Sequence, residues 1–495
     1  MLANIAFFCF AGVKYLPFIA TTALSTYLVG RVIGKIYENA DLQIAECNEQ
    51  AEKKQIRQLA KRKAKRALLV GLFIVVGLLA VCKYTAFVLK NLNGVLTAFD
   101  LPQISTFNMI LPIGISFYTF MAIGYVLDIY WKRYKAESNF LSYAVFVSYF
   151  PHVVQGPIDR YNEFKAQTEH GVRLSYKNIT YGAQLAIWGF FKKLVIADRI
   201  GVLVDTVLGD WQQYGGAHLF LTFAVYSIQI YADFSGCIDI VSGVSEMFGI
   251  KLRKNFNHPY FSKTMGEFWR RWHISLQEWF KDYIYYPVSV SRFVKGGKKK
   301  LKAKGKKRAE ELFASCFPVL VVWLITGIWH GAAWKFVAWG LFHASLLIGS
   351  QVFAPLFDKI NKLFKINTDN FGWRLWQMVR TFVLCCIGRI FFRADGLMVS
   401  LSMIKHMLLL PNIPSLFDNT INLGLDASNM QFAVFSILVL WAIDMLQEKM
   451  SLRQELSKQN IVFRWIIIFA AIFAIIIFGT YGPEYNASSF IYEQF

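Results

Sequence analysis

Long continuous apolar runs, not alternating ones, set the pattern of this chain. They lie at about residues 4–33, 67–89, 109–131, 139–157, 178–206, 217–247, 312–329, 334–352, 374–393, 430–446 and 465–480. Crossing the roughly 30 Å hydrocarbon layer takes about 20 residues of helix, and unbroken apolarity argues against a barrel, whose strands alternate. The pattern predicts an all-α, polytopic integral membrane protein with about ten spanning helices plus re-entrant and interfacial helices. The first run has no basic n-region and no small-residue cleavage pattern before it, so it reads as a span. No internal repeat or separate soluble domain stands out, and 1–495 reads as a single transmembrane domain.

The polar positions between the runs are biased in charge. Lys53, Lys54, Arg57, Lys61, Arg62, Lys63, Lys65 and Arg66 crowd residues 49–66, whereas 91–108 has no Lys or Arg. Basic groups recur at Lys132, Arg133 and Lys135, at Lys251, Arg253 and Lys254, and between Lys295 and Arg308. Cytoplasmic loops carry the excess of Lys and Arg. Followed along the chain, this rule makes 49–66 and 292–310 basic cytoplasmic loops and puts both termini outside, with 481–495 as an extracytoplasmic tail. The run 139–157 has basic residues on both flanks and contains Pro151, Gly156 and Pro157, which suits a broken, re-entrant path. The Lys295–Arg308 stretch reads as a solvated linker or as a patch drawn to anionic lipid or an acidic partner.

Composition narrows the function classes. With 55% hydrophobic, 17% aromatic and only 17% charged residues, an ordinary soluble enzyme is excluded. The net charge of +21 sits in loops beside apolar runs, which points to a bilayer and not to nucleic acid. Seven cysteines lie mostly inside apolar runs without CxxC or metal spacing, so they read as core residues and no metal site is expected.

Two histidines carry the candidate chemistry. His273 lies in FWRRWHISLQEWFKDYIYYP, residues 268–287; on a helix it shares a broad aromatic face with Trp269, Trp272, Leu276, Trp279, Phe280 and Tyr283. Such a segment also fits an interfacial helix whose histidine merely finds a hydrogen bond. His330 lies in GIWHGAAW, where Gly327 and Gly331 permit close backbone approach and a helix break. An ionisable group beside membrane spans points to function, and an imidazole can take a hydroxyl proton as the oxygen attacks a thioester. A satisfied histidine at a helix junction is the alternative. GxSxG, P-loop, GxGxxG and HExxH motifs are absent, and no histidine has an aspartate five residues later.

These two segments, together with LPIGISFYTF (111–120), YFPHVVQGPI (149–158) and IYADFSGCIDI (230–240), resemble the membrane-bound O-acyltransferases, most closely the bacterial alginate O-acetyltransferase-like group. The resemblance implies helices around a central tunnel, acyl-CoA as donor from the cytoplasm, and an acceptor hydroxyl from the other side. It assigns the principal catalytic histidine to His330 and the second motif position to His273. Trp269, Arg270, Arg271, Trp272, Asp282 and Trp329 become motif or tunnel-supporting residues, and His343 a packing histidine. No permanently bound cofactor is implied.

The chain ends Phe490-Ile491-Tyr492-Glu493-Gln494-Phe495. This ending resembles an FxYxxF tail of polymer-acylating systems, which implies that Tyr492 relays the acyl group as an ester and that Phe490 and Phe495 serve recognition. An aromatic anchor at the interface is the plainer alternative. The implied partners are a separate extracytoplasmic acyltransferase or esterase-like protein and a glycan acceptor. The expected reaction is acetyl transfer toward an envelope polysaccharide or peptidoglycan at the cell membrane. D-alanyl transfer to teichoic acids from a carrier protein, and a histidine-lined transporter or channel, are the alternatives, the last disfavoured by the lack of repeat symmetry.

Overall fold

The computed structural model describes residues 1–107, 109–169, 171, 175–418 and 420–481. Among the described residues the regular structure is helical, and the one isolated extended pairing joins Phe256 to Trp272. Two compact units result: Met1–Ser175 with Phe248–Arg253, and Tyr176–Met247 with Lys254–Phe495.

In the first unit, α1 (Leu2–Gly12) stops at Gly12, whose φ of 138° suits glycine alone. Then come α2 (Leu16–Glu46), with Pro17 in its first turn, and α3 (Gln50–Ala98). The basic stretch 49–66, expected as a loop, is instead the start of α3. Its Ala, Lys, Arg, Gln and Glu residues are strong helix formers, and no Gly or Pro interrupts them before the apolar run. The next helices are α4 (Ile115–Tyr130), buried along nearly its whole length, α5 (Phe140–Ser148) and α6 (Tyr161–Thr168). The 139–157 path is broken as its prolines suggested: α5 ends at Tyr149 and a single turn, Phe150–Val153, follows. Two buried polar groups here, His152 and Glu137, are paired. His152 meets Asp159 at 3.1 Å and the Phe146 carbonyl at 2.9 Å. Glu137 accepts from the Tyr161 hydroxyl at 2.6 Å and from Lys165 at 2.8 Å.

The second unit opens with α7 (Tyr176–Phe190), which passes through a π-helical stretch, Phe191–Ala197, into α8 (Asp198–Gly209). The next helix, α9 (Gly216–Met247), crosses α7 at two glycine pairs. A Cβ on Gly182 would lie 2.4 Å from the Gly243 carbonyl, and one on Gly189 2.5 Å from the Gly236 carbonyl, so only glycine permits this approach. Buried charges join the same helices: Lys193 lies 2.8 Å from Asp198 and 2.7 Å from Asp233, and Lys192 lies 2.7 Å from Asp239.

Short helices α10 (Met265–Arg271), α11 (Ile274–Phe280) and α12 (Arg292–Ala303) precede α13 (Lys307–His330) and α14 (Trp334–Val352). Residues 292–310, also expected as a loop, are largely helical. Phe293, Val294, Gly297 and Leu301 fall on one face of α12 and give it a docking stripe: Phe293 packs 4.8 Å from Phe317 of α13, and Gly297 lies against Phe313. The unit continues with α15 (Phe371–Arg393), α16 (Ala427–Gln447) and α17 (Ile461–Phe478).

Among the described residues six helices are long and apolar enough to cross a membrane, or seven if Trp334–Val352 and Ala354–Leu363, bent by 59°, count as one span. The sequence count of about ten also included the α7–α8 and α9 regions, which are long helices, and α4, of 16 residues. The α7–α9 helices carry polar groups that are satisfied inside their own unit, so apolarity alone does not mark them, whereas α4 is apolar but short.

Candidate active site

His273 does not lie within a continuous helix as its periodicity suggested. The chain breaks between α10 and α11, where the bridge of Trp272 to Phe256 replaces helical bonding; Asn257 N–H donates to the Arg271 carbonyl and Ile274 N–H to the Asn255 carbonyl, both at 2.9 Å. His273 itself takes a left-handed conformation, φ 49° and ψ 51°. For a residue other than glycine this costs on the order of 1–3 kcal/mol and is held only by surrounding structure. The holding group is Asn255. Its Oδ1 accepts from Ser275 N–H at 3.0 Å and the Ser275 hydroxyl at 2.7 Å, and lies 3.3 Å from His273 Nδ1. A backbone N–H can only donate, so this Asn255 atom is fixed as the oxygen and His273 Nδ1 as the protonated nitrogen. The basic lone pair is thereby on Nε2. Burial pushes the His273 imidazole down to about 3, so it is neutral at ordinary pH.

His330 is the last residue of α13. An imidazolium formed there sits at the negative end of the helix dipole. Its position follows from close packing of α13 on α14: a Cβ on Gly327 would lie 2.4 Å from the Phe336 carbonyl, and one on Gly340 2.4 Å from the Trp323 carbonyl. A Cβ on Gly331 would strike the Phe336 ring at 2.1 Å, which accounts for the glycine after His330. Rings of Trp329, Trp339 and Phe392 surround the imidazole at 4.8, 4.8 and 5.4 Å.

The two histidines meet at one side chain, Trp329, whose ring centroid is 4.8 Å from His330 and 6.4 Å from His273. Phe234, within the IYADFSGCIDI segment, packs edge-on against His273 at 4.8 Å. Behind His330, His343 is enclosed by Trp269, Trp323 and Trp339 at 4.9, 5.2 and 4.9 Å. Trp272 is buried beside Phe256 and Phe234. Three further histidines among the described residues make structural contacts: His218 meets the Ser415 hydroxyl, His406 the Tyr214 carbonyl, and His258 faces Asp444 at 3.2 Å.

Other sequence candidates sit further out. Arg270 is exposed, and Arg271 ties α10 to Glu267 at 3.0 Å and to Glu448. Asp282 is half-buried in a π-helical stretch, Lys281–Tyr285. Phe490, Tyr492 and Phe495 lie outside the described residues. The chain leading to them is tethered: Thr480 donates to the Leu194 carbonyl of the π-helical stretch through both its N–H, at 3.0 Å, and its hydroxyl, at 2.7 Å. Among the described residues no group of three or more His, Cys, Asp or Glu side chains could hold a metal ion. Sequence reasoning missed Asn255, Trp339 and Arg389. Only Arg389, a charge inside an apolar run, carried a local signal.

The family model described as MBOAT, membrane-bound O-acyltransferase family, matches residues 135–392 and so contains both histidines. A probable alginate O-acetylase of Pseudomonas aeruginosa is 32% identical over 346 residues, covering 70% of this chain and 61% of that protein. A peptidoglycan O-acetyltransferase of Helicobacter pylori is 30% identical over 436 residues, covering 82% and 72%. A teichoic acid D-alanyltransferase of Bacillus subtilis is 30% identical over 292 residues, covering 57% and 68%. The match to the alginate O-acetylase thus spans about three-fifths of that relative's length.

Proposed function

Because the chain belongs to the membrane-bound O-acyltransferase family, we propose that it transfers an acyl group, acetyl by preference, from cytoplasmic acyl-CoA toward hydroxyls of an extracytoplasmic envelope polysaccharide or peptidoglycan. The observation that carries the reading is the meeting of His273 and His330 on the Trp329 ring inside a buried aromatic site. His330 acts as the base that takes the acceptor's proton while its oxygen attacks the thioester carbon. His273, fixed as the Nδ1–H tautomer by Asn255, positions donor or acceptor from the other side of Trp329. A phenol ester is activated toward further transfer, so Tyr492 serves as the relay, and a separate extracytoplasmic transferase moves the group to the glycan. The donor is a substrate, and the residues described require no resident cofactor for these steps.

The test is consumption of labelled acetyl-CoA by the purified protein. His330→Ala should lower turnover by roughly 10²- to 10⁴-fold, the usual contribution of a positioned general base, and unchanged turnover would refute the assignment. The D-alanyl reading is favoured by the Bacillus subtilis relative, which covers a smaller share of the chain than the O-acetylating ones. It predicts that a D-alanyl carrier-protein thioester, and not acetyl-CoA, is consumed.

A further inference from the structure

Arg389 of α15 is a buried cation without a buried anion. It is 5% exposed, stands in a helix apolar enough to cross a membrane, and has no carboxylate within ion-pairing distance among the described residues. Its guanidinium carbon stacks 4.6 Å from the Trp272 ring, with the Tyr260 hydroxyl beside it. Neither neighbour is ionised to match it. An uncompensated charge in such a setting costs several kcal/mol, so the position makes physical sense only if negative charge arrives during function.

The neighbouring polar atoms point the same way. Arg389 Nε, Trp269 Nε1, Trp339 Nε1 and His343 Nδ1 are all buried without a hydrogen-bond partner among the described residues. Guanidinium and indole nitrogens can only donate, and a neutral imidazole can donate through one nitrogen. These groups belong to one cluster. Trp339 touches both His330 and His343; Trp269 touches His343; and the His343 ring lies against Gly388, where a Cβ would come within 2.8 Å of it. Arg389 follows Gly388 in the chain, and Phe392, one turn further, packs on His330. A cluster of unmet donors beside a candidate base is a setting for an oxygen that becomes negative.

We propose that Arg389, Trp269 and Trp339 form the oxyanion site of the acyl transfer. This rests on the reading of His330 as its base. As the acceptor hydroxyl attacks, its proton passes to His330, its oxygen bonds to the acyl carbon, and the carbonyl π pair moves onto the carbonyl oxygen. That oxyanion accepts from the indole and guanidinium N–H groups. Collapse restores the C=O bond, expels the thiolate, and returns the proton from His330 to sulfur, leaving an ester and a free thiol.

The test compares kcat and KM for acetyl-CoA with the thermal unfolding temperature of the full-length protein in detergent. Arg389→Met should lower kcat by roughly 10²- to 10³-fold, as loss of one oxyanion donor does elsewhere, with KM within about threefold and the unfolding temperature unchanged or raised, because a buried unpaired charge is removed. Arg389→Lys should recover part of kcat. Trp339→Phe, which keeps an aromatic ring but removes the indole N–H along with some volume, should lower kcat about tenfold at constant KM, beyond what any fall in unfolding temperature explains. Retained kcat in Arg389→Met, or a loss that merely follows a lowered unfolding temperature, overturns the proposal. Full turnover in His330→Ala instead removes the reading beneath it, and this inference with it.

Discussion

Asn255 decides which nitrogen of His273 carries the proton, and a one-atom change there alters how readily the ring takes a second one. In Asn255→Asp the Ser275 N–H and hydroxyl still find an acceptor at the same place, so the break between α10 and α11 should persist. The new carboxylate, however, faces His273 Nδ1 and favours the imidazolium. The His273 value, held at about 3 by burial, should therefore rise. Because the proposed role of His273 uses its neutral ring, activity should be lost as pH falls through the raised value, and the acid limb of the pH–rate profile should move up by at least one unit. An unmoved limb would mean that the Asn255 contact is structural only. His330 and His273 were both legible in the sequence, because ionisable residues in apolar surroundings stand out. Asn255 was not, for its role depends on a bridge between segments 18 residues apart, and no periodicity encodes that.

At the scale of elements, the glycines of α13 and α14 bring His330 to Trp339. Placing a Cβ at Gly327 or Gly340 directs it at a backbone carbonyl, which cannot swing aside as a side chain would. Gly340→Val should force the two helices apart, cost about 1–3 kcal/mol in the manner of other overpacked sites, and pull Trp339 away from His330. We expect a lowered unfolding temperature and a fall in kcat larger than the stability loss explains, whereas Gly349→Ala, near the far end of α14 and with only Phe353 at 3.9 Å, should be neutral. Sequence patterning located α13 to α17 within a few residues, because apolar runs of that length have one solution. It misread 49–66 and 292–310 as loops, since charge marks solvent exposure and not the absence of helix; α3 and α12 are helices with exposed basic positions. It also joined α10 and α11 into one helix, because the aromatic face has the right spacing and the left-handed residue between them leaves no trace in composition.

For the molecule as a whole, apolarity identified a multi-pass membrane protein, yet α7–α9, which bring Phe234 against His273, are not among the helices apolar enough to cross a membrane. The α7–α9 region buries Lys192, Lys193, Asp198, Asp233 and Asp239 as pairs, so its charges signal internal contacts that a hydropathy reading counts as polarity. The same region receives the end of the described chain. Thr480 closes on the carbonyl of Leu194, within the π-helical stretch. From that tether to Tyr492 an extended chain reaches roughly 40 Å at about 3.4 Å per residue, more than a bilayer core is thick. For the proposed relay, so short a leash would give Tyr492 a high effective concentration at a reaction centre in its own chain. Tyr492→Phe should therefore leave the protein folded and in the membrane but abolish acetylation of the envelope glycan in cells. Thr480→Val, which loses one of the two tethering bonds while keeping its N–H, should reduce it only a few-fold. Glycan acetylation that survives Tyr492→Phe would end the relay while leaving acyl transfer at His330 standing, since the acceptor hydroxyl would then have to come from the glycan or the partner directly.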